Sequence, residues 1–233
     1  NHTLNFFLKI ISWHYRLRCV RETFEIDSRS LAACRIGCGI IILVDLWQRS
    51  LYLADHYSDW GLLPRAPLIS QFLDNEAVSF HLFNGSTVFV GIMFALAAAA
   101  AVGLIIGWKT KLMTIVSWAL LVSLHHRNPI ILQSGDILIR CILFWLIFVQ
   151  AGSCYSVDAA LRRHRQSKHH FTFPGVVLML QVALMYLFAA SLKNSPIWWP
   201  EGTATYYTLQ LDQYTTSFGS WLGQFFQLNK ILT

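Results

Sequence analysis

Long apolar stretches separated by short polar punctuation dominate this chain. STVFVGIMFALAAAAAVGLIIGW, residues 86–108, carries no charged side chain, and crossing a hydrocarbon core takes roughly 20 mostly apolar helical residues. FTFPGVVLMLQVALMYLFAASL, residues 171–192, is a second such stretch, and LAACRIGCGIIILVDLW, residues 31–47, is a third that carries Arg35 and Asp45. LMTIVSWALLVSL (112–124) and ILIRCILFWLIFVQAG (137–152) are shorter and make sense as neighbours inside a bundle. Residues 214–233 read as the start of a sixth span. At the other end, Phe6, Phe7, Ile10, Ile11 and Trp13 precede a basic stretch, the pattern of a helix lying in the membrane interface. The expectation is an all-α protein: a basic interfacial helix over 1–30, then a polytopic α-helical membrane bundle over 31–233. The closing SWLGQFFQLNKILT stops inside a helical pattern, so a longer chain is expected.

Composition agrees with lipid as the solvent. Of the 233 residues 55% are hydrophobic and 13% charged, against about 25% charged in soluble domains. That supply cannot coat a soluble globule of this size. The net charge of +6 is gathered in short clusters beside apolar runs, which suits an anionic leaflet and not a nucleic-acid groove. Those clusters also orient the bundle. Five spans put Lys9, Arg16, Arg18, Arg21, Arg29, Lys109, Lys111, Arg162, Arg163, Arg165 and Lys168 on one side, and Arg49, Arg65, Arg127 and Lys193 on the other. Basic loops stay cytoplasmic, so the N-terminus is expected inside and Lys193 outside. Cys19, Cys34, Cys38, Cys141 and Cys154 show neither metal-ligand nor redox spacing and read as small packing groups. No metal is expected.

This topology gathers polar residues at the outer ends of the spans. Asp45 ends the first; His125, His126 and Arg127 end the third. Asp136 and Arg140 open the fourth, four residues apart with the acid first, the favourable order for an ion pair on one helical face. Lys193 ends the fifth, just ahead of Trp198 and Trp199. Each has a structural explanation. Lys193 can snorkel beside an aromatic belt made by the two tryptophans, Asp136 and Arg140 can neutralise each other, and Arg35 can snorkel to the inner headgroups. Adjacent histidines diverge by about 100° on a helix and cannot chelate one metal unaided. The functional alternative is a polar pocket under an apolar roof. Desolvation favours a neutral lysine amine, which serves as a general base toward a phenol or quinol arriving through the lipid, with Arg127 or Arg140 stabilising the oxyanion.

The motifs carrying these residues resemble a known family. LAACRIGCGIIILVDLWQR is similar to the opening helix of the horizontally transferred transmembrane (HTTM) domain, the membrane domain of vitamin K-dependent γ-glutamyl carboxylase. YSDWGLLPRAPL resembles its outer loop, RNPIILQSGDILIR its central motif, and YSVDAALRRHR the stretch before its basic loop. YLFAASLKNSPIWWPEG resembles the segment that holds the carboxylase's essential lysine. The resemblance implies that Lys193 is the base that deprotonates a quinol of the vitamin K type. Arg127, Asp136, Arg140, Trp198 and Trp199 are expected around substrate or cofactor, with Arg35 and Asp45 as structural polar groups. There is one departure. The carboxylase's asparagine-asparagine-histidine-serine stretch corresponds to Asn128-Pro129-Ile130-Ile131, leaving His125 or His126, a turn earlier, as the substitutes.

Two readings follow. One is a carboxylase-like, quinol-dependent membrane enzyme of the lyase type, acting on a quinol or on a substrate presented from outside. The other is a non-catalytic accessory or scaffolding subunit that packs against partner membrane proteins. Membrane lipid is the common partner, a quinone belongs to the first reading, and nucleic acid to neither. A channel is disfavoured as well, since no pore motif repeats along the chain.

Overall fold

The computed structural model describes residues 21–71, 79–162, 169–211 and 215–233. The expected interfacial helix lies mostly outside these residues. The chain forms two compact units, the first ending at Met179 and the second running from Leu180 to Thr233. Among the described residues helix dominates, and the strand pairing is one two-residue antiparallel bridge, β1 (Ile26–Asp27) with β2 (His169–His170).

Four helices build the first unit: α1 (Ser28–Ser50), then, beyond two short helices α2 (Leu53–Tyr57) and α3 (Arg65–Gln71), α4 (Thr87–Ile106), α5 (Thr110–Arg127) and α6 (Ser134–Leu146). Each long helix has a local reason to start. The Asp27 carboxylate accepts from the Arg29 N–H at 2.7 Å, and Ser86 Oγ accepts from the Phe89 N–H at 3.3 Å, satisfying donors that the first helical turn leaves orphaned. Gln133 and Asp136 close a reciprocal capping box on α6. Short α4–α5 and α5–α6 connections make neighbours antiparallel. The alanine run of α4 explains its closest partnership: Ala97 and Ala101 are buried in the core with Cys38 and Ile42 of α1. A Cβ on Gly39 would stand 3.0 Å from the Ala101 carbonyl oxygen, so only small residues let these backbones approach so closely.

Arg35 ties one end of this bundle together. Instead of snorkelling to headgroups it is fully buried. Its Nε donates to Ala151 O at 3.1 Å, Nη2 to Tyr155 O at 2.7 Å, and Nη1 to the carbonyls of Leu104 and Ile105. Those carbonyls sit at the C-terminal end of α4 and in the turns after α6, where chain ends leave acceptors unpaired. A guanidinium with five fixed donors answers several at once. The same arrangement corrects the fourth apolar run: the helix stops at Leu146, and residues 147–155 turn so that the Ala151 and Tyr155 carbonyls meet Arg35.

Among the described residues three helices are long and apolar enough to cross a membrane: α1, α4 and, after the short α7 (Val157–Leu161), α8 (Phe173–Ser191). Three of the five expected spans meet this measure of length and hydropathy, while the shorter α5 and α6 pack against α4 and α1. The expected sixth span is not one helix. Its residues form α10 (Ser217–Gly223) and α11 (Phe226–Leu232), of seven residues each, and one such helix extends only about 10 Å. In this second unit α9 (Ala204–Thr208) packs on α11 through Tyr206 and Phe226, whose rings meet edge to face 5.1 Å apart. Buried Asn229 donates to the carbonyls of Leu222 and Gly223 at 3.1 and 3.3 Å.

Candidate functional site

At the end of the first unit opposite Arg35, one side chain organises the polar residues, and it is Arg49. From the last turn of α1 its Nε donates to both Asp45 oxygens at 2.8 and 2.7 Å. Nη1 reaches the Tyr57 hydroxyl at 2.9 Å and Nη2 reaches Asp136 Oδ1 at 2.9 Å. Burial raises the Tyr57 phenol, against the pull of Arg49, so it stays protonated at neutral pH. The imidazole Nε2 of His125, fully buried at the end of α5, lies 3.8 Å from Asp136 Oδ1.

The expected Asp136–Arg140 pair does not form among the described residues. As third residue of α6, Asp136 folds back so that Oδ2 accepts from the Gln133 N–H at 2.9 Å. That turns the carboxylate away from the next turn, where Arg140 sits half-buried, and toward α1. The signal for Arg49 was present in the sequence all along. Asp45 and Arg49 have the same four-residue, acid-first spacing that drew attention to Asp136 and Arg140.

Arg127 is committed elsewhere. Fully buried, it donates to Leu63 O at 2.8 Å and Ser58 O at 2.9 Å. It thereby pins the loop whose Asp59 receives both Nε bonds of Arg65, at 2.9 and 2.8 Å. The Arg65 hydrogen bonds hold the Asp59 carboxyl below its usual range. Asn128 Nδ2 donates to His56 O at 2.9 Å and fixes the same loop. His126, beside His125, is half-buried. Behind this layer His81 is buried, with Nδ1 2.6 Å from Ser123 Oγ. Burial first, then the charge of Arg127, pulls His81 down to about 4.

The polar hub borders a cavity of about 520 Å³ between α1, α5 and α6. Ile41, Ile42, Leu121, Leu138, Ile139 and Ile142 make its apolar wall, while Asp45, Gln48, Arg49, His56, Gln133 and Asp136 line its polar part. Its volume is in the range of small-molecule sites, which are mostly apolar with a few placed polar groups. A molecule with an apolar body and a hydroxylated head matches both parts, so a quinol fits by the chemistry of the lining.

Lys193 belongs to the second unit. It is exposed, just beyond α8, with Nζ 4.2 Å from the centroid of the Trp198 ring, a cation–π distance. Trp198 is half-buried and Trp199 exposed.

These motifs, in this order on this helical frame, match one family model, the HTTM domain, over residues 24–225. The chain belongs to the HTTM domain family. No curated protein and no solved structure matches it. The match runs from just before β1 to the break between α10 and α11 and so reaches into both units, and the protein is an integral membrane protein of that class.

Proposed function

We propose that this HTTM protein takes a lipid-soluble, uncharged molecule with a hydroxylated head, a quinol being the type, into the cavity between α1, α5 and α6. The observation that carries this reading is the apolar cavity bordered by Arg49 and its two carboxylates. Two carboxylates around one hydrogen-bonded guanidinium leave acceptors in excess. A hydroxyl can donate to them, whereas an anionic head would face the Asp45 and Asp136 charges. Asp45 and Gln133 would hold such a head, with Ile41 and Leu138 along its body. Bound there, a quinol would supply an ionisable hydroxyl and redox capacity. Independently of this cavity, Lys193 keeps the role that the family resemblance implies, a general base toward a quinol or a substrate presented from the outer side.

The binding claim is tested with the protein in nanodiscs by titrating a short-chain naphthoquinol and a fatty acid of equal length. The quinol should bind at least tenfold tighter, and Leu138→Trp, which fills the apolar wall, should cost at least tenfold. Equal binding of the fatty acid, or no effect of Leu138→Trp, would overturn the assignment.

The second reading, a non-catalytic scaffold, is favoured by one observation: the Lys193 ammonium rests on Trp198, as an interfacial anchor would. Lys193→Arg separates the two. Arginine keeps the charge and the ring contact but stays protonated. Quinol-dependent turnover that survives this change identifies Lys193 as an anchor, and turnover lost with assembly intact identifies it as the base.

A further inference from the structure

A second cavity, about 860 Å³, opens at the Arg35 end of the first unit, between the start of α5, the turns after α6 and α7. Lys109, Lys111 and Arg162 line it, with Asp158 as its carboxylate. That carboxylate is already used. Oδ1 accepts from the Lys109 N–H at 2.9 Å and Oδ2 from the Thr110 N–H at 2.7 Å, capping α5. Among the described residues no ion pair takes up Lys109, Lys111 or Arg162. The cavity therefore presents three cations against one occupied anion.

Thr110, Gln150 and Ser153 add polar groups to the lining, and its apolar part is open. Leu112, Phe148 and Leu161 are 48%, 52% and 76% exposed. Beside them the Lys109 ammonium lies 5.0 Å from the Trp108 ring centroid, the pairing of cation and indole found at headgroup depth. Soluble phosphate would satisfy the cations and leave these apolar side chains in water. We propose that this groove is a binding site for one anionic glycerophospholipid: its phosphate meets Lys109, Lys111 and Arg162, and an acyl chain covers Leu112, Phe148 and Leu161. Basic pockets between membrane helices take phosphorylated headgroups for the same reason. The site is separate from the hub around Arg49 and does not depend on what the other cavity binds.

The test uses native mass spectrometry of the whole protein released from nanodiscs containing phosphatidylcholine and phosphatidylglycerol in equal amounts. Wild type should retain a single phosphatidylglycerol with at least tenfold preference. The combined K109Q/K111Q/R162Q variant should fall below twofold. Should that variant fold poorly, Lys111→Glu, which alters one exposed side chain, should reduce the preference at least threefold. An R163Q/R165Q/K168Q variant should leave it intact; its loss there instead would assign the effect to diffuse charge along the following basic stretch of sequence and overturn the site. Displacement of the lipid by millimolar inorganic phosphate would overturn the lipid assignment. So would a preference unaltered by Phe148→Asn, because the acyl contact would then contribute nothing.

Discussion

Arg49 rather than any residue around it holds the α1–α6 junction, because its guanidinium is shared by Asp45, Asp136 and Tyr57. Removing it strands two partly buried carboxylates, and an uncompensated charge is far costlier than an absent pair. Arg49→Leu should destabilise the protein in detergent by about 3 kcal/mol. Arg140→Leu should cost about 1 kcal/mol or less, as an arginine outside the hub. Converting Asp45, Arg49 and Asp136 together to Asn, Leu and Asn should recover most of the Arg49→Leu loss. Unfolding midpoints decide it, and equal losses for the two arginine variants would remove Arg49 from the centre. His81 supplies a pH signature. Its folded value near 4 lies below the ordinary 6.5, so between these values the unfolded chain binds the extra proton. The stability from burying a neutral His81 is thus complete above pH 6.5 and is lost as pH falls toward 4, by about 3 kcal/mol in all. His81→Gln should flatten the stability curve across that window relative to wild type. Parallel curves would mean that His81 takes up its proton without unfolding the bundle.

At the scale of elements, two glycines in different helices make a sharp comparison. Gly107 ends α4 with φ +70°, and a Cβ there would press on Ser156 and stand 2.9 Å from Arg35 Nη1. Gly107→Ala is strained by the left-handed backbone and by that contact. It should cost about 1–2 kcal/mol, read from thermal melts. Gly37 lies inside α1 with nothing within 4 Å of a Cβ, so Gly37→Ala should stabilise by roughly 0.5–1 kcal/mol through helix propensity. Equal effects would show that the α4–α5 turn is not held by Arg35. Much at this scale was legible in the sequence. The runs 31–47, 86–108 and 171–192 became α1, α4 and α8 because apolar length alone sets such helices. The ends of 137–152 and the break in 214–233 were not, because local backbone acceptors, turn geometry and side-chain anchors such as Asn229 decide where a helix stops.

For the whole molecule, the distribution of basic residues predicts an orientation that can be measured, with the N-terminus cytoplasmic. If it holds, a cysteine at Leu62, 80% exposed in the loop between α2 and α3, should react with an impermeant maleimide on intact cells. One at exposed Lys111 should react only after permeabilisation. The reverse pattern would invert the topology. Ser58, in the same loop as Leu62, is buried and hydrogen-bonded and would report packing instead of sidedness.

Composition and apolar periodicity determined by themselves that this is an all-helical membrane protein, where its long helices run, and that Asp45, His125 and Asp136 stand at the same end of the first unit. These are one-dimensional properties, since transfer to lipid depends on a segment's own side chains. Which of those polar residues meet was decided only by the tertiary structure. Arg35 looked like a headgroup anchor and became a buried clamp on four carbonyls. Asp136 faced Arg140 by spacing and turned to Arg49 because capping its own helix fixed the direction of its carboxylate. A guanidinium or carboxylate taken out of water must find partners wherever they lie in space, and those partners came from residues 69 to 120 positions away for Arg35 and 87 for Asp136. Spacing within one helix carries no record of such pairings, and packing the helices together is what creates them.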